Sequence, residues 1–314
     1  MSRGQIGHHN IVLDQSMRHP GVAMNETAIE VVNTPFSAVH YYECKVILQP
    51  QHFVTSHAFR DFWKIVRHSA RKFDVTVKDA DDGFDNQVRE VLFFDTPSFD
   101  LYNNHFIVRL RTFYKSGWPD GLPELTVKFR HPDFETAAAV DVRPATPGAR
   151  IRIKFKEELL PLREGLGGMR SIFSHNCVLA TPREQIDMAV ADLTRSFPAL
   201  LQAKARSDER LALVNDFAVE EVQVNVGELH FGHGIKAKAT IAVWRDRQHE
   251  RPICGEFAFQ CKFDRREDLH RESLKRAADF YKTLQLDAYE WVTLGATKTA
   301  IVYGLGQQAS TNHE

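Results

Sequence analysis

The residues best suited to chemistry are basic side chains that alternate with apolar ones in three short runs. These runs are Val108-Arg109-Leu110-Arg111, Leu125-Thr126-Val127-Lys128-Phe129-Arg130 and Arg150-Ile151-Arg152-Ile153-Lys154. A period of two is typical of a β-strand with one apolar and one polar face. Solvent could cover such a polar face, but like charges beside one another on neighbouring strands destabilise a sheet. The repetition therefore favours a bound anion, and Arg and Lys together suit phosphate oxygens.

The positive charge is local. Residues 109–156 contain ten Lys and Arg against five Asp and Glu, whereas the whole chain has 40 against 41 and a net charge of −1. The overall balance argues against generic nucleic-acid binding, which needs an excess of basic residues. A closed barrel would direct the basic side chains toward a common axis. We therefore expect a polyanionic phosphate ligand held inside a barrel.

Carboxylates occur on the same kind of alternating strand. Glu43 shares a strand face with Lys45, Glu158 ends the third basic run, and Glu256 begins a run in which Ala258 and Gln260 follow on the same face. A hard cation such as Mg²⁺ or Mn²⁺ takes one or two carboxylates together with phosphate oxygens. These three glutamates are the candidate metal ligands.

The pattern of elements predicts an α+β protein built on a large sheet or barrel. Apolar residues at helical spacing predict helices over residues 56–71 and 266–286. Thr181, Pro182 and Glu184 resemble a helix start, so a third helix is expected over 181–203. The predicted strands are 40–48, 88–94, 105–113, 124–130, 150–158, 211–214, 217–226, 236–244 and 255–263.

The expected organisation is one domain over residues 37–305, with the helix at 181–203 as an insertion. Residues 1–36 read as a poorly ordered leader and 306–314 as a flexible tail. The chain has no apolar run of about 18 residues and no apolar signal core near its start. Its four cysteines form no CxxC pair. We expect a cytoplasmic protein that does not enter membranes; the sequence leaves its oligomeric state open.

Several of these segments, in order, resemble the CYTH superfamily, also called triphosphate tunnel metalloenzymes. The most specific segment is Phe93-Phe94-Asp95-Thr96-Pro97, followed by Leu101 and by Val108-Arg109-Leu110-Arg111. It is similar to the family's Y-[YF]-D-T-P…L…L-R-x-R pattern. Leu125-Thr126-Val127-Lys128 is similar to the family's L-T-x-K strand, and Lys204-Ala205-Arg206 to its K-x-R element. Pro252–Glu256 and Thr297-Lys298 are weaker matches. The resemblance covers about residues 41–304.

This resemblance implies a closed, antiparallel, eight-stranded β-barrel flanked by helices, with a hydrophilic tunnel that binds a triphosphate. It implies catalytic roles for Glu43, Lys45 and Glu256, and metal binding by Glu43, Glu256 and Glu158 with Mg²⁺ or Mn²⁺. The phosphate-binding residues that it implies are Lys45, Arg109, Arg111, Lys128, Arg152, Lys154, Lys204, Arg206 and Lys298.

The sequence departs from the family pattern at the carboxylates. The family's first strand reads E-x-E-x-K, whereas this chain reads Tyr41-Tyr42-Glu43-Cys44-Lys45, and Ala258 and Gln260 replace further glutamates after Glu256. The first expectation is a metal-dependent hydrolase of inorganic triphosphate, a nucleoside triphosphate or thiamine triphosphate. The alternatives are a tunnel that binds nucleotide or polyphosphate without turnover, as a sensor or adaptor, and adenylate cyclase activity of the class IV type.

Overall fold

A computed structural model describes residues 38–81, 84–145, 150–186 and 188–305. The predicted leader and tail lie outside these residues. The strands are β1 (Tyr41–Leu48), β2 (Thr76–Asp79), β3 (Asn86–Asp95), β4 (Phe106–Lys115), β5 (Trp118–Pro119), β6 (Glu124–His131), β7 (Ile151–Leu160), β8 (Arg170–Ala180), β9 (Ala212–His230), β10 (Lys236–Asp246), β11 (Pro252–Lys262) and β12 (Val292–Thr293). The helices are α1 (His57–Arg71), α2 (Asp100–Asn103), α3 (Phe134–Ala138), α4 (Val190–Ser196), α5 (Arg271–Asp287) and α6 (Lys298–Gly304).

Nine of the described strands form a closed ring. Its order is β10, β11, β1, β7, β8, β6, β4, β3 and β9, and β9 pairs with β10 to complete it. Every neighbouring pair in the ring is antiparallel except β1 and β7, which run parallel with Glu43 opposite Glu158. The barrel is confirmed, but the expected eight antiparallel strands are wrong, because the ring is mixed and has nine.

The additional strand is β8, which the sequence pattern did not predict. Ile172, Ser174, His175 and Cys177 are all at most 1% exposed, so both faces of the strand are buried. A strand buried on both faces loses the alternation of apolar and polar residues that identifies a half-exposed strand. β8 fills the gap between β7 and β6, and without it the ring could not close.

β9 replaces the two strands predicted on either side of residues 215–216. Asn215 and Asp216 have positive φ angles of 55° and 50°, and the pairing of β9 with β3 shifts register there. Such an irregularity bends a strand without ending it. At Gly227, with φ of 137°, a Cβ atom would lie 1.9 Å from the carbonyl oxygen of Lys78, so only glycine permits the pairing with β2.

The two long helices cover one outer face of the barrel. Helices α1 and α5 match the two predicted amphipathic helices, and their apolar stripes are buried against β1, β9, β10 and β11. Phe62 packs at 5.5 Å from Phe257, and Phe280 at 5.6 Å from Phe259, between ring centroids. This apolar layer holds the outward residues of the strands in place, so the alternate residues point into the barrel.

The predicted helix over 181–203 is broken into pieces. The described residues form a short 3-10 turn at Arg183–Gln185, then α4, then a second 3-10 turn at Pro198–Ala203. Thr181 caps no helix there, and an isolated bridge joins Ala189 to Arg210. Pro198 ends α4 because the residue before a proline is disfavoured in helical conformation. Leu193, Phe197 and Leu200 pack on the outer face of β4, β6 and β8.

One end of the barrel interior is filled by an apolar plug. The plug consists of inward residues from several strands with two side chains of α6: Ile47, Val91, Phe93, Ile107, Val219, Trp244, Cys254, Val302 and Tyr303. Below it, the buried Asp95 carboxylate accepts hydrogen bonds from the backbone of Thr96, Leu101 and Tyr102 and from the Tyr303 hydroxyl. The Asp95-Thr96-Pro97 motif thus fixes α2 and α6 in position, and burial raises the pKa of Asp95 to about 6.

Among the described residues, no helix is both long and apolar enough to cross a membrane. All four cysteines are free thiols, and Cys44, Cys177 and Cys254 are buried.

Candidate functional site

The remainder of the barrel interior is a polar cavity of about 350 Å³. Nine basic and four acidic side chains line it, which gives the lining a formal charge of +5. The basic residues are Lys45, Arg109, Arg111, Lys128, Arg130, Lys154, Lys156, Lys238 and Lys298, and the acidic ones are Glu43, Glu158, Glu221 and Glu256. The whole chain is close to neutral, so the barrel concentrates positive charge in its interior.

Strand alternation puts these side chains in the cavity. Glu43 and Lys45 on β1, Arg109 and Arg111 on β4, and Lys128 and Arg130 on β6 are each two residues apart and share the inward face. Their apolar neighbours Val108, Leu110 and Val127 are buried in the outer layer. The alternating runs in the sequence are therefore inward and outward faces of barrel strands.

Glu158 is the centre of the first charged cluster. It is 1% exposed, and its carboxylate lies 2.7 Å from Lys128 Nζ, 2.9 Å from Lys45 Nζ and 3.5 Å from an Arg130 nitrogen. Ser174 Oγ donates a further hydrogen bond. Burial alone would raise the pKa of Glu158, but Lys128, Lys45 and Arg130 hold this pKa well below its ordinary value. Glu158 is therefore ionised and saturated with donors.

Lys45 joins Glu158 to Glu43. The Lys45 ammonium lies 2.8 Å from Glu43 Oε2, and Lys156 Nζ lies 3.0 Å from the same oxygen. Burial opposes ionisation of Glu43, but Lys156 and Lys45 outweigh it, and the pKa of Glu43 falls below its ordinary range. One ammonium thus lies between two carboxylates from the parallel pair of strands.

Lys298 has the same arrangement in the second cluster. At the start of α6, its ammonium lies 3.0 Å from Glu221 Oε1 and 2.9 Å from Glu256 Oε1. Trp244 Nε1 donates to Glu221 at 2.8 Å, and Arg89 and Arg111 lie 3.4 and 3.5 Å from its Oε2 atom. Glu221 Oε2 is buried without a hydrogen-bond partner in the described structure. Burial disfavours the charge of Glu221, but Lys298, Arg111 and Arg89 lower its pKa well below the usual value.

Three cations of the cavity lack an ion pair among the described residues. In the part of the chain that the structure describes, no carboxylate lies within ion-pairing distance of Arg109, Lys154 or Lys238. Arg109 donates only a long hydrogen bond, 3.4 Å, to Thr126 Oγ1, and its Nε atom is buried without a partner among these residues. Burial and the adjacent Arg111 lower the pKa of Arg109. Burial, Lys156 and Arg152 lower the pKa of Lys154 to about 8.

These lowered pKa values have a simple physical meaning. Burial penalises a charge that no opposite charge offsets, and neighbouring like charges add to the penalty. An anion placed among Arg109, Arg111 and Lys154 would remove both costs and would supply acceptors for the unpaired Arg109 Nε and Arg111 Nε donors. The arrangement is that of an anion-binding cavity.

Tyr41 occupies the inward position two residues before Glu43. Its ring centroid lies 5.4 Å from Lys154 Nζ and 5.8 Å from Lys156 Nζ. An aromatic face attracts cations without neutralising them. Lys156 also pairs with Glu43, whereas Lys154 keeps its charge available to a ligand.

The structure brings together most of the residues chosen from the sequence. Glu43, Lys45, Glu158, Glu256 and five of the basic residues line the cavity, the latter being Arg109, Arg111, Lys128, Lys154 and Lys298. Arg152 is on the same face of β7 but at the mouth, where its side chain is 52% exposed and lies 2.9 Å from Glu124.

Lys204 and Arg206 are not in the cavity lining. Lys204 is exposed with φ of 57° after the second 3-10 turn, and the Arg206 side chain is 72% exposed and pairs with Asp208 at 2.8 Å. Neither residue therefore faces a ligand bound in the cavity.

Four charged lining residues were not among the site residues selected from the sequence: Arg130, Lys156, Glu221 and Lys238. Arg130 and Lys156 follow the same alternation as their selected neighbours, so the pattern contained them. Glu221 sits in Glu220-Glu221, where only a knowledge of the strand's phase tells which carboxylate faces inward. Glu220 instead pairs with Arg245, on the other face.

Binding of a divalent cation depends on the oxygen donors that the cavity provides. The cavity offers carboxylate oxygens, which suit Mg²⁺ or Mn²⁺, and Glu221 Oε2 is a buried acceptor without a hydrogen bond among the described residues. Lys298 Nζ and Lys45 Nζ each lie where a cation shared by two carboxylates would lie. The residues fit a divalent cation once the ammonium group turns to another anion, and Glu221 and Glu256 fit it better than the saturated Glu158.

The only group of three potential ligand side chains found among the described residues lies elsewhere. His233, His270 and Glu272 are exposed, on the outside of the barrel, and their ligand atoms lie within 4.8 Å of one another.

No family model matches the chain, and no curated protein matches it. Solved structures do. A protein of Hippeastrum assigned as an adenylyl cyclase, with a dominant triphosphatase activity, is 12% identical over 88% of this chain and all of its own, with a TM-score of 0.38. A Pyrococcus horikoshii protein is 10% identical over 85% of this chain and all of its own, with a TM-score of 0.36.

The RNA triphosphatase Pct1 of Schizosaccharomyces pombe is 10% identical over 81% of this chain and 74% of its own, with a TM-score of 0.22. Of these neighbours, the Hippeastrum protein and Pct1 are described as having triphosphatase activity. Similarities at this level do not show an activity, a substrate or a metal for this chain.

Proposed function

We propose that the protein binds the triphosphate group of a small molecule in this cavity and hydrolyses its terminal phosphoanhydride bond. The observation that carries the proposal is the excess of cations in the cavity lining: nine basic side chains face four carboxylates, and the partly buried Arg109 and Lys154 have no ion pair within the described chain. A buried, uncompensated charge is costly. A linear triphosphate would supply several anionic oxygens in one chain.

The basic residues would both bind the phosphate groups and stabilise the charge on the transferred group. Arg109 and Arg111 can each present a planar fork to a phosphate, and Lys128, Lys154 and Lys156 can act as point charges around it. Phosphoryl transfer is catalysed mainly by positioning and by stabilising charge on the transferred group. A cavity lined with fixed cations fits that requirement.

A divalent cation, when bound, would neutralise phosphate oxygens and orient water for attack. Glu221 and Glu256 would hold it, with Glu43 and Glu158 as the second carboxylate pair. Lys298 and Lys45 would then pair with phosphate instead of with the glutamates. The chain's own contribution is to keep three of these carboxylates ionised, since their basic neighbours hold the pKa values of Glu43, Glu158 and Glu221 below the ordinary range.

The test measures phosphate release from tripolyphosphate, ATP and thiamine triphosphate, with Mg²⁺ or Mn²⁺ and with EDTA. We expect Glu221→Gln to reduce turnover at least tenfold while tripolyphosphate still raises the melting temperature. Glu220→Gln is the matched control, because Glu220 is its neighbour on the outward face and pairs with Arg245. Folded protein without phosphate release on any of these substrates would refute hydrolysis.

Binding without turnover is the second candidate, and one observation favours it. All four cavity glutamates already contact an ammonium group, through Lys45, Lys128, Lys156 or Lys298. If these ion pairs persist, the cavity is a metal-free receptor for polyphosphate. This alternative predicts that tripolyphosphate raises the melting temperature equally with and without EDTA. A shift that disappears on chelation would contradict it.

A further inference from the structure

A second cluster of ligating side chains lies outside the cavity. His233 lies in the turn between β9 and β10, and His270 and Glu272 begin helix α5. The rings of His233 and His270 stack with centroids 3.6 Å apart and planes 17° from parallel. His233 Nε2 and Glu272 Oε2 lie 3.2 Å apart. Residues far apart in sequence thus present three ligand atoms to one point, within 4.8 Å of one another.

The turn that carries His233 is held rigidly against the helix. Arg276 Nη1 donates to the carbonyl oxygen of Phe231 at 2.9 Å, and Ser273 Oγ donates to that of Gly232 at 3.0 Å. Gly232 has φ of +85°, a left-handed backbone conformation that favours glycine, so this residue allows the turn to take its path along the helix. Hydrogen bonds that fix a ligand-bearing backbone preorganise a metal site.

We propose that His233, His270 and Glu272 bind one zinc-class transition-metal ion. Two imidazole nitrogens and one carboxylate oxygen suit Zn²⁺, whereas Mg²⁺ prefers oxygen ligands alone. Three protein ligands leave a fourth, water-filled position, which the exposure of all three side chains permits. The ion joins the β9–β10 turn to α5, and α5 packs on the outer barrel face. The site is separate from the phosphate cavity and does not rest on the proposed hydrolysis.

The test is titration calorimetry with ZnCl₂ in phosphate-free buffer, in a His8→Ala/His9→Ala background that removes a pair of adjacent histidines from the N-terminal segment. We expect one ion per chain and a rise in melting temperature that EDTA reverses. His233→Ala should weaken this binding at least about tenfold. His249→Ala is the matched control, since His249 also pairs with a carboxylate, Asp246, at 2.7 Å but has no second histidine in that pair.

A second variant and a Co²⁺ spectrum test the same site independently. If His270→Ala disturbs α5, the milder Glu272→Gln must still weaken zinc binding, with unchanged circular dichroism. Substitution by Co²⁺ should give a visible d–d spectrum without the thiolate charge-transfer band that binding at Cys261 would produce. Zinc binding that His233→Ala leaves unchanged, or that His249→Ala weakens equally, would overturn the proposal. Loss of zinc binding with tripolyphosphate binding intact would separate this site from the cavity.

Discussion

Replacing Glu158 by glutamine tests whether the cavity is held together by the balance of buried charges. The side chain keeps its size but loses the charge that Lys45, Lys128 and Arg130 share. Removing one partner of a buried ion pair costs about 3–5 kcal/mol, since the remaining charge stays buried without compensation. Because three cations depend on Glu158, which is 1% exposed, we expect Glu158→Gln to lower the free energy of unfolding by about 4 kcal/mol.

The neighbouring Glu157 supplies the control. It faces the opposite side of β7, where Ser171 donates to it at 2.8 Å and Arg266, itself 66% exposed, lies 3.8 Å away. The Glu157 side chain is only 12% exposed, but its cation is largely solvated and lies 3.8 Å away, so this pair should contribute close to the value of a surface pair, about 0–1 kcal/mol. Urea unfolding followed by tryptophan fluorescence should therefore show a much smaller loss for Glu157→Gln than for Glu158→Gln. Equal losses, or a loss below about 1 kcal/mol for Glu158→Gln, would refute the reasoning.

Tripolyphosphate gives the same prediction a second readout. A ligand at 100 times its dissociation constant stabilises the native state by about 2.7 kcal/mol. In Glu158→Gln the ligand no longer competes with a carboxylate for Lys45, Lys128 and Arg130, so its stabilising effect should exceed that in the wild type. A smaller effect in the variant would contradict an anion site at this cluster.

The pH dependence follows from the low pKa of Glu158. Its stabilising contribution is fully present above the unfolded-state pKa of about 4.3 and is lost as the pH falls through the lower folded-state pKa. The stability difference between wild type and Glu158→Gln should thus be constant from about pH 6 to 8 and shrink below about pH 4.

Arg109→Ala should weaken tripolyphosphate binding by roughly ten- to a hundredfold, the value of a hydrogen bond to a charged group, without lowering stability, because it relieves repulsion with Arg111. The exposed Arg206→Ala should leave calorimetric affinity unchanged. Wild-type affinity should fall as the pH rises through about 8, where Lys154 loses its proton, and Lys154→Met should flatten that profile; an unchanged profile would remove Lys154 from the site. Tyr41→Glu adds a carboxylate beside Lys154 and Lys156, and should raise Mn²⁺ affinity measured by electron paramagnetic resonance; no gain would mean that position 41 does not reach the metal ligands.

The alternation of charges in the sequence was enough to predict a basic interior, because strand phase carries side chains at positions i and i+2 to one face. It could not predict the strand count, since β8 is buried on both faces and lacks alternation. Nor could it identify Glu221, because the choice between adjacent glutamates depends on the strand's phase near the irregularity at Asn215 and Asp216. The parallel pairing of β1 with β7 joins residues more than a hundred positions apart, which local patterns do not encode.

The motif residues divide into two groups. Arg109 and Lys128 face the cavity, whereas Asp95 acts in the framework, where its carboxylate accepts hydrogen bonds from α2 and from Tyr303. Lys204 and Arg206 match a motif by spacing but lie at the surface. Motif spacing therefore predicts cavity-facing residues correctly on regular strands, as at Arg109 and Lys128, but not in the irregular segment that contains Lys204 and Arg206.

The apolar plug closes one end of the barrel to a ligand. Because Phe93, Trp244 and Tyr303 fill one end, a phosphate chain cannot thread from end to end. Under the proposed hydrolysis, substrate would enter and product would leave through the same mouth, near Arg152 and Glu124. The same proposal therefore predicts that a long polyphosphate is shortened only from its terminus, and that pyrophosphate or orthophosphate inhibits competitively.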